Sequence, residues 1–202
     1  MEIMGKLNEH NVDYSKIANI LRAGGIIIYP TDTAYALGCD ATNETAVAKI
    51  FQIKGRAKTK TLSLIAADRA MAEEWLEFSD TARALADKYW PGPLGLILPV
   101  KKNGLAAAVI QDGCAGVRVP ANAIARELSR LAGVPLVATS ANASGSGPKF
   151  TLAAVRASLG DKLALIDKEI DGGELTVGAV STMVKVCDNK VEIIRQGAIK
   201  IK

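Results

Sequence analysis

Apolar positions recur along the chain in two periods, and the switching between them predicts an α/β fold. Residues 14–23 carry Ile17, Ile20 and Leu21 at helical spacing and stop at Gly24-Gly25. Residues 26–29 are a short β-branched run that reads as a buried strand ended by Pro30. Residues 31–40 read as a loop rich in hydroxyls. Residues 42–54 open on Thr42 and Asn43 as candidate caps and repeat Val47, Ile50, Phe51 and Lys54 on a helical period. Residues 62–66 form a second apolar strand. Asp68, and then Ser79 or Asp80, start two further helices, the second broken by Pro91.

The alternation continues to the end. Strands are predicted at 94–100 and 116–119, a helix at 121–131, a strand at 136–138 and a helix at 152–159. Three more strands are expected at 163–166, 181–186 and 191–195. The last two are separated only by 187–190, which predicts a hairpin at a sheet edge. No repeat, low-complexity block or domain linker interrupts the pattern. The expectation is one domain over residues 1–202, with a mixed parallel and antiparallel sheet flanked by helices.

Composition narrows the chemistry. At 202 residues and 49% hydrophobic, the chain can bury a sizeable core, and 23% charged residues is ordinary for a soluble domain. The net charge of +4 permits anionic ligands without announcing a nucleic-acid-binding domain. The one histidine, His10, excludes a His-rich metal site, and a Ser-His-Asp triad would have to use it. Three Phe, two Trp and four Tyr are too few for a base-stacking platform. Cys39, Cys114 and Cys187 are far apart and form no C-x-x-C pair, so they read as small buried hydrophobes in a reducing cytosol. No signal peptide opens the chain, and no apolar run approaches the ~18 residues of a membrane span. A cytoplasmic protein without membrane contact is expected.

Three segments could carry chemistry. Thr31-Asp32-Thr33 follows a buried strand, where α/β sheets place ligands, although Pro30, Asp32 and the threonines are also turn formers. Lys54-Gly55-Arg56-Ala57-Lys58-Thr59-Lys60 sets four cations at a helix end. It reads either as a solvated terminus favoured by the helix dipole or as an anion clamp built on the Arg56 fork. Residues 137–148 open from a strand into hydroxyls, an amide and glycines. They match neither a phosphate-binding P-loop nor a nucleophile elbow, and a flexible linker is the alternative. Arg118 and Arg195 each lie among apolar β-formers, so each either points to solvent or meets a buried anion. Ser181-Thr182 could add hydroxyls to the same region.

Read in order, GGIIIYPTDTAYALGCDA, IFQIKGR, WPGPL, VRVP, PLVATSANASG, STMV and IIRQG resemble the YrdC-type threonylcarbamoyl-AMP synthase family over nearly the full length. The resemblance implies a twisted mixed sheet with a basic concave groove, in the short single-domain form. It implies a nucleotidyltransferase that makes threonylcarbamoyl-AMP and pyrophosphate from ATP, L-threonine and bicarbonate or carbon dioxide. A downstream transferase then modifies tRNA. The family's Lys-x-Arg and Ser-x-Asn pairs fall on Lys54, Arg56, Ser140 and Asn142, expected to be catalytic and to touch ATP. Thr31 and Thr33 map to the threonine pocket, and Arg118, Ser181 and Arg195 to the nucleotide pocket. Magnesium is expected to arrive on the ATP phosphates without a protein ligand set.

Two departures stand out. Thr61 replaces the usual proline, a change expected to loosen its loop. Gly95 replaces a threonine or serine and removes a hydroxyl from the substrate region. The alternatives are a YciO-like paralogue, or a tRNA-, double-stranded-RNA- or ribosome-binding protein of the same fold without efficient synthase activity.

Overall fold

The computed structural model describes residues 12–55 and 61–201. Its helices start where the sequence offers a short polar cap. In α1 (Tyr14–Arg22), α2 (Glu44–Lys54), α3 (Arg69–Trp75), α4 (Asp80–Tyr89), α5 (Ala123–Ala132) and α6 (Leu152–Leu159), the caps are Asp13, Asn43, Asp68, Ser79, Asn122 and Thr151. Each cap side chain accepts a backbone N–H from three residues on. α2 ends on Gly55 in the left-handed conformation, φ 58°, where a glycine relieves the Cβ clash.

The strands divide into two sheets rather than one. The smaller is ordered β7-β2-β1-β8, from β1 (Ile27–Pro30), β2 (Tyr35–Gly38), β7 (Thr139–Ser140) and β8 (Lys168–Glu169). The larger is ordered β10-β9-β4-β5-β3-β6, from β3 (Leu64–Ile65), β4 (Leu94–Pro99), β5 (Cys114–Arg118), β6 (Leu136–Val137), β9 (Thr182–Cys187) and β10 (Lys190–Arg195). Both sheets mix parallel and antiparallel pairs. The segment 136–140 passes between them. β6 pairs with β3, the Ala138 N–H donates to the Ser63 carbonyl, and β7 pairs with β2.

Two expectations fail locally. The stretch 31–40 is not all loop, because Tyr35–Gly38 pairs antiparallel with β1 and is buried on both faces. A strand covered on both sides shows no alternation, so its four residues gave no period. Gly38 is required there: a Cβ would sit 2.5 Å from the Tyr29 ring and 2.8 Å from the Val137 carbonyl. The strand expected at 163–166 is part of a 3₁₀ turn, Gly160–Leu165. The sheet edge it would have occupied is taken by β8, which pairs parallel with β1. The edge hairpin forms as expected. Asp188 and Asn189 both take positive φ, the geometry of a two-residue hairpin turn.

Packing follows these surfaces. Ile17 and Leu21 of α1 and Ile124, Ala125 and Leu128 of α5 cover Ile27, Tyr29, Ile65 and Leu136. The larger core joins α2 and α6 to the other faces of both sheets through Val47, Ile50, Phe51, Leu64, Leu96, Val117 and Val155. Among the described residues, no helix is long and apolar enough to cross a membrane.

Candidate functional site

A cavity of about 360 Å³ opens between the sheets, at the ends of β1, β3, β5 and β7. Thr31, Thr33, Arg118, Ser140, Ser181 and Arg195 all line it, so six residues drawn from five separate sequence segments converge. Lys54 and Asn142 stand behind it, and Arg56 lies outside the described residues.

The turn after β1 is organised by Thr31. Its hydroxyl donates to the Ala34 carbonyl at 2.7 Å and accepts from the Thr33 and Ala34 N–H groups, both at 3.2 Å. The Thr33 hydroxyl lies 3.1 Å from that of Thr31 and 3.5 Å from the Arg118 guanidinium. Thr31 therefore shapes the turn, and Thr33 presents it to the cavity. Between them, Asp32 accepts a 2.5 Å charge-assisted hydrogen bond from Arg118, whose side chain is 10% exposed. Arg118 is thus a strand arginine that meets a buried anion. Asp32 lies in a segment expected to carry chemistry, but its role as the partner of Arg118 is not among the expectations. The signal was present in the sequence: a carboxylate at a strand end and an arginine otherwise stranded among apolar neighbours. The other Asp32 oxygen, Oδ2, is buried with no hydrogen-bond partner among the described residues.

Lys54 corrects one of the two readings of its loop. It is 4% exposed, so it is no solvated helix terminus. Its ammonium donates to the Ser140 carbonyl and, at 3.0 Å, to the Asn142 carbonyl. The Ser144 N–H returns to the Lys54 carbonyl at 2.9 Å. The Asn142 amide donates to the Ala143 carbonyl at 2.7 Å. The Ser146 and Ser158 hydroxyls sit 2.9 Å apart, and the Lys149 ammonium donates to the Ser146 carbonyl. This is a tied loop, not a linker. Helix α2 holds it through one buried cation, and it turns the Ser140 side of β7 toward the cavity.

The opposite wall carries unbalanced charge. Arg195 donates through Nε to the Ser181 carbonyl at 3.0 Å. Its pKa is pushed below the ordinary guanidinium value, first by burial and then by the positive charge of Arg118. Gly197 lets the chain return past this point, because a Cβ there would lie 2.1 Å from the Val180 carbonyl. The Thr182 hydroxyl then accepts the Gly197 and Ile199 N–H groups and donates to the Ile199 carbonyl. Two guanidiniums lining one hydroxyl-rich cavity, the charge of one lowering the pKa of the other, make a receptor for an anion.

A second cavity, of about 320 Å³, adjoins the first and shares Thr61, Ser63 and Met183 with it. Leu62, Ile97, Ile194 and Cys114 make it more apolar, with Gln111, Asp112 and Lys185 at its margin. Thr61 does not simply loosen its loop. Its hydroxyl donates to the Gln111 side-chain oxygen at 2.5 Å. Burial raises the Cys114 and Cys39 thiols, so both stay neutral and unreactive. Among the described residues, no cluster of three His, Cys, Asp or Glu side chains forms a metal site.

The family described as telomere recombination (Sua5, YciO and YrdC) matches residues 19–197. A Methanocaldococcus jannaschii protein named putative threonylcarbamoyl-AMP synthase is 38% identical, covering 89% of this chain and 83% of its own. The structure of P. abyssi Sua5 complexed with L-threonine superposes with a TM-score of 0.83 at 33% identity, over 91% of this chain and 54% of that one. E. coli YciO gives 0.81 at 26% identity, over 94% and 91%. Other relatives named threonylcarbamoyl-AMP synthase are 31% and 43% identical. The chain spans 57% of the length of the 31%-identical relative and 54% of that of a Pyrococcus abyssi threonylcarbamoyl-AMP synthase 35% identical to it. The order of the motifs, the two-sheet fold and these matches agree: the chain belongs to the Sua5/YciO/YrdC family.

Proposed function

We propose that this protein is an L-threonylcarbamoyladenylate synthase, a nucleotidyltransferase that joins threonine, bicarbonate-derived carbon dioxide and the AMP part of ATP. The observation that carries the reading is that Arg118 and Arg195 line one cavity together with Thr33, Ser140 and Ser181. That arrangement suits a reaction whose participants are all anions. The threonine amine takes up carbon dioxide and loses a proton, giving a carbamate. A carbamate oxygen then forms a bond to the α-phosphorus of ATP. The bond from that phosphorus to the bridging oxygen breaks, and pyrophosphate leaves with the electron pair.

Such a step needs alignment and charge neutralisation more than a side-chain base. Arg118 and Arg195 neutralise carboxylate and phosphate charge. Thr33 and Ser181 orient threonine and the phosphates. Lys54 and Asn142 fix the loop that presents Ser140. The first cavity adjoins the second along Thr61, Ser63 and Met183. In this reading the phosphates and threonine share the first, and the base enters the second. Magnesium would come with the nucleotide, on phosphate oxygens and water, and the hydroxyl lining suits a hard ion. A downstream transferase would carry the threonylcarbamoyl group to tRNA, in the cytoplasm.

The test supplies ATP, threonine, bicarbonate and magnesium to the folded chain. Pyrophosphate release should require threonine and bicarbonate together. Release independent of threonine, or none from folded protein, contradicts the reading. Tight, steeply salt-dependent RNA duplex binding without adenylate formation would favour an RNA-binding role instead.

A further inference from the structure

Met183 lines both cavities. It sits on β9 directly opposite Gly95 in the parallel β4–β9 pair, and Thr182, Val184 and Val186 alternate with it into the core. A Cβ on Gly95 would lie 2.1 Å from the Met183 sulfur and 2.9 Å from its methyl carbon. A Cβ on Gly116 of β5 would lie 3.2 Å from the same methyl. The thioether therefore lies flat across β4 and reaches β5. Neither glycine has a positive φ, so the backbone itself would accept any residue at both positions. What the two glycines supply is room for Met183. Ser63 and Thr61 face it as the other residues common to both cavities.

We propose that Met183, seated on Gly95 and Gly116, is a specificity-determining residue: it forms the sill between the two cavities and sets the clearance for the nucleotide that crosses it. The proposal rests on the synthase reading and deepens it. It explains the departure at Gly95. A hydroxyl-bearing side chain there is exchanged for a thioether arriving from the neighbouring strand, so the floor under the nucleotide is flat, apolar and adjustable instead of polar and fixed. A side chain restored at position 95 would lift Met183 into the passage. Threonine, held at the Thr31–Thr33 turn of the smaller sheet and not at the Gly95–Met183 pair of the larger one, would not sense this.

The test uses the full chain with [methyl-¹³C]methionine, the Met183 signal being assigned through Met183→Leu. ATP should shift that methyl signal along the same saturation curve that calorimetry gives for ATP binding, and threonine alone should not. Gly95→Ser should weaken ATP binding about tenfold by overpacking while leaving threonine affinity within about twofold. Gly95→Ser combined with Met183→Val should recover most of the loss. Should Gly95→Ser fail to fold, Met183→Ala reads the same sill by removing bulk. It should weaken ATP several-fold at unchanged threonine affinity. ATP binding with an unmoved Met183 signal, or a double variant no better than Gly95→Ser, or a Met183→Ala variant equal to the parent, overturns the proposal and leaves the synthase reading standing. A parent chain that binds no ATP overturns that reading, and the sill with it.

Discussion

The two walls of the first cavity are built from similar residue types and use them in opposite ways. On the side of the smaller sheet, donors and acceptors are matched internally. Thr31 is occupied by its own turn, Lys54 by the carbonyls of Ser140 and Asn142, and the Asn142 amide by Ala143. On the side of the larger sheet, Arg195 keeps one bond to the Ser181 carbonyl and is pulled down in pKa by burial and by Arg118. The first wall is a frame. The second presents Arg195 from the exposed strand β10 to the cavity, where an arriving anion can meet it. Asp32 joins them, since it comes from the β1–β2 turn and holds Arg118 of β5.

Breaking that joint should have the largest effect. Asp32→Ala leaves Arg118 buried and unpaired, and should cost about 3 kcal/mol of stability, measured by urea unfolding. Removing charge from the second wall should do the reverse of removing a frame residue. Arg195→Ala is expected to lower turnover about 100-fold, a difference of about 2.7 kcal/mol, while the unfolding midpoint moves little, because Arg195 lies at an exposed position of β10. Lys54→Ala belongs to the frame. It strands two buried carbonyls and should cost about 2 kcal/mol of stability along with activity. A stable, inactive Lys54→Ala would instead move Lys54 to the second wall.

The smallest effect concerns Tyr35, whose hydroxyl donates to the Gly173 carbonyl at 2.8 Å and accepts the Gly172 N–H at 2.7 Å. Burial pushes its phenol up to about 12. The folded state thus favours the protonated phenol, so this contribution is whole below pH 10 and is lost as pH rises from about 10 toward 12. Tyr35→Phe should cost about 1 kcal/mol at neutral pH and shrink that alkaline decline.

Elements with a clear period or cap were readable from the chain. α6 matches its expected span, and Asn43, Asp68 and Ser79 cap where polar residues precede apolar periods. β2 was hidden because burial on both faces erases alternation, and 163–166 misled because four apolar residues fit either period. The site was legible in its members more than in their roles. Thr33, Ser140 and Arg195 line the cavity. That Lys54 pins a loop, that Asp32 holds Arg118 and that Met183 fills the place above Gly95 depend on contacts between residues 86 to 88 positions apart, or on neighbouring strands. No local pattern encodes such pairings.

The central claim is that one cavity gathers threonine, a carbonate-derived carbon and the α-phosphate of ATP. Its most direct test supplies ¹³C-bicarbonate, threonine and ATP and follows the label by mass spectrometry. The label should appear in a single species that contains one threonine, one labelled carbon and one AMP, formed together with pyrophosphate and about 100-fold more slowly in Arg195→Ala. Consumption of ATP without a labelled threonine–AMP adduct would contradict it.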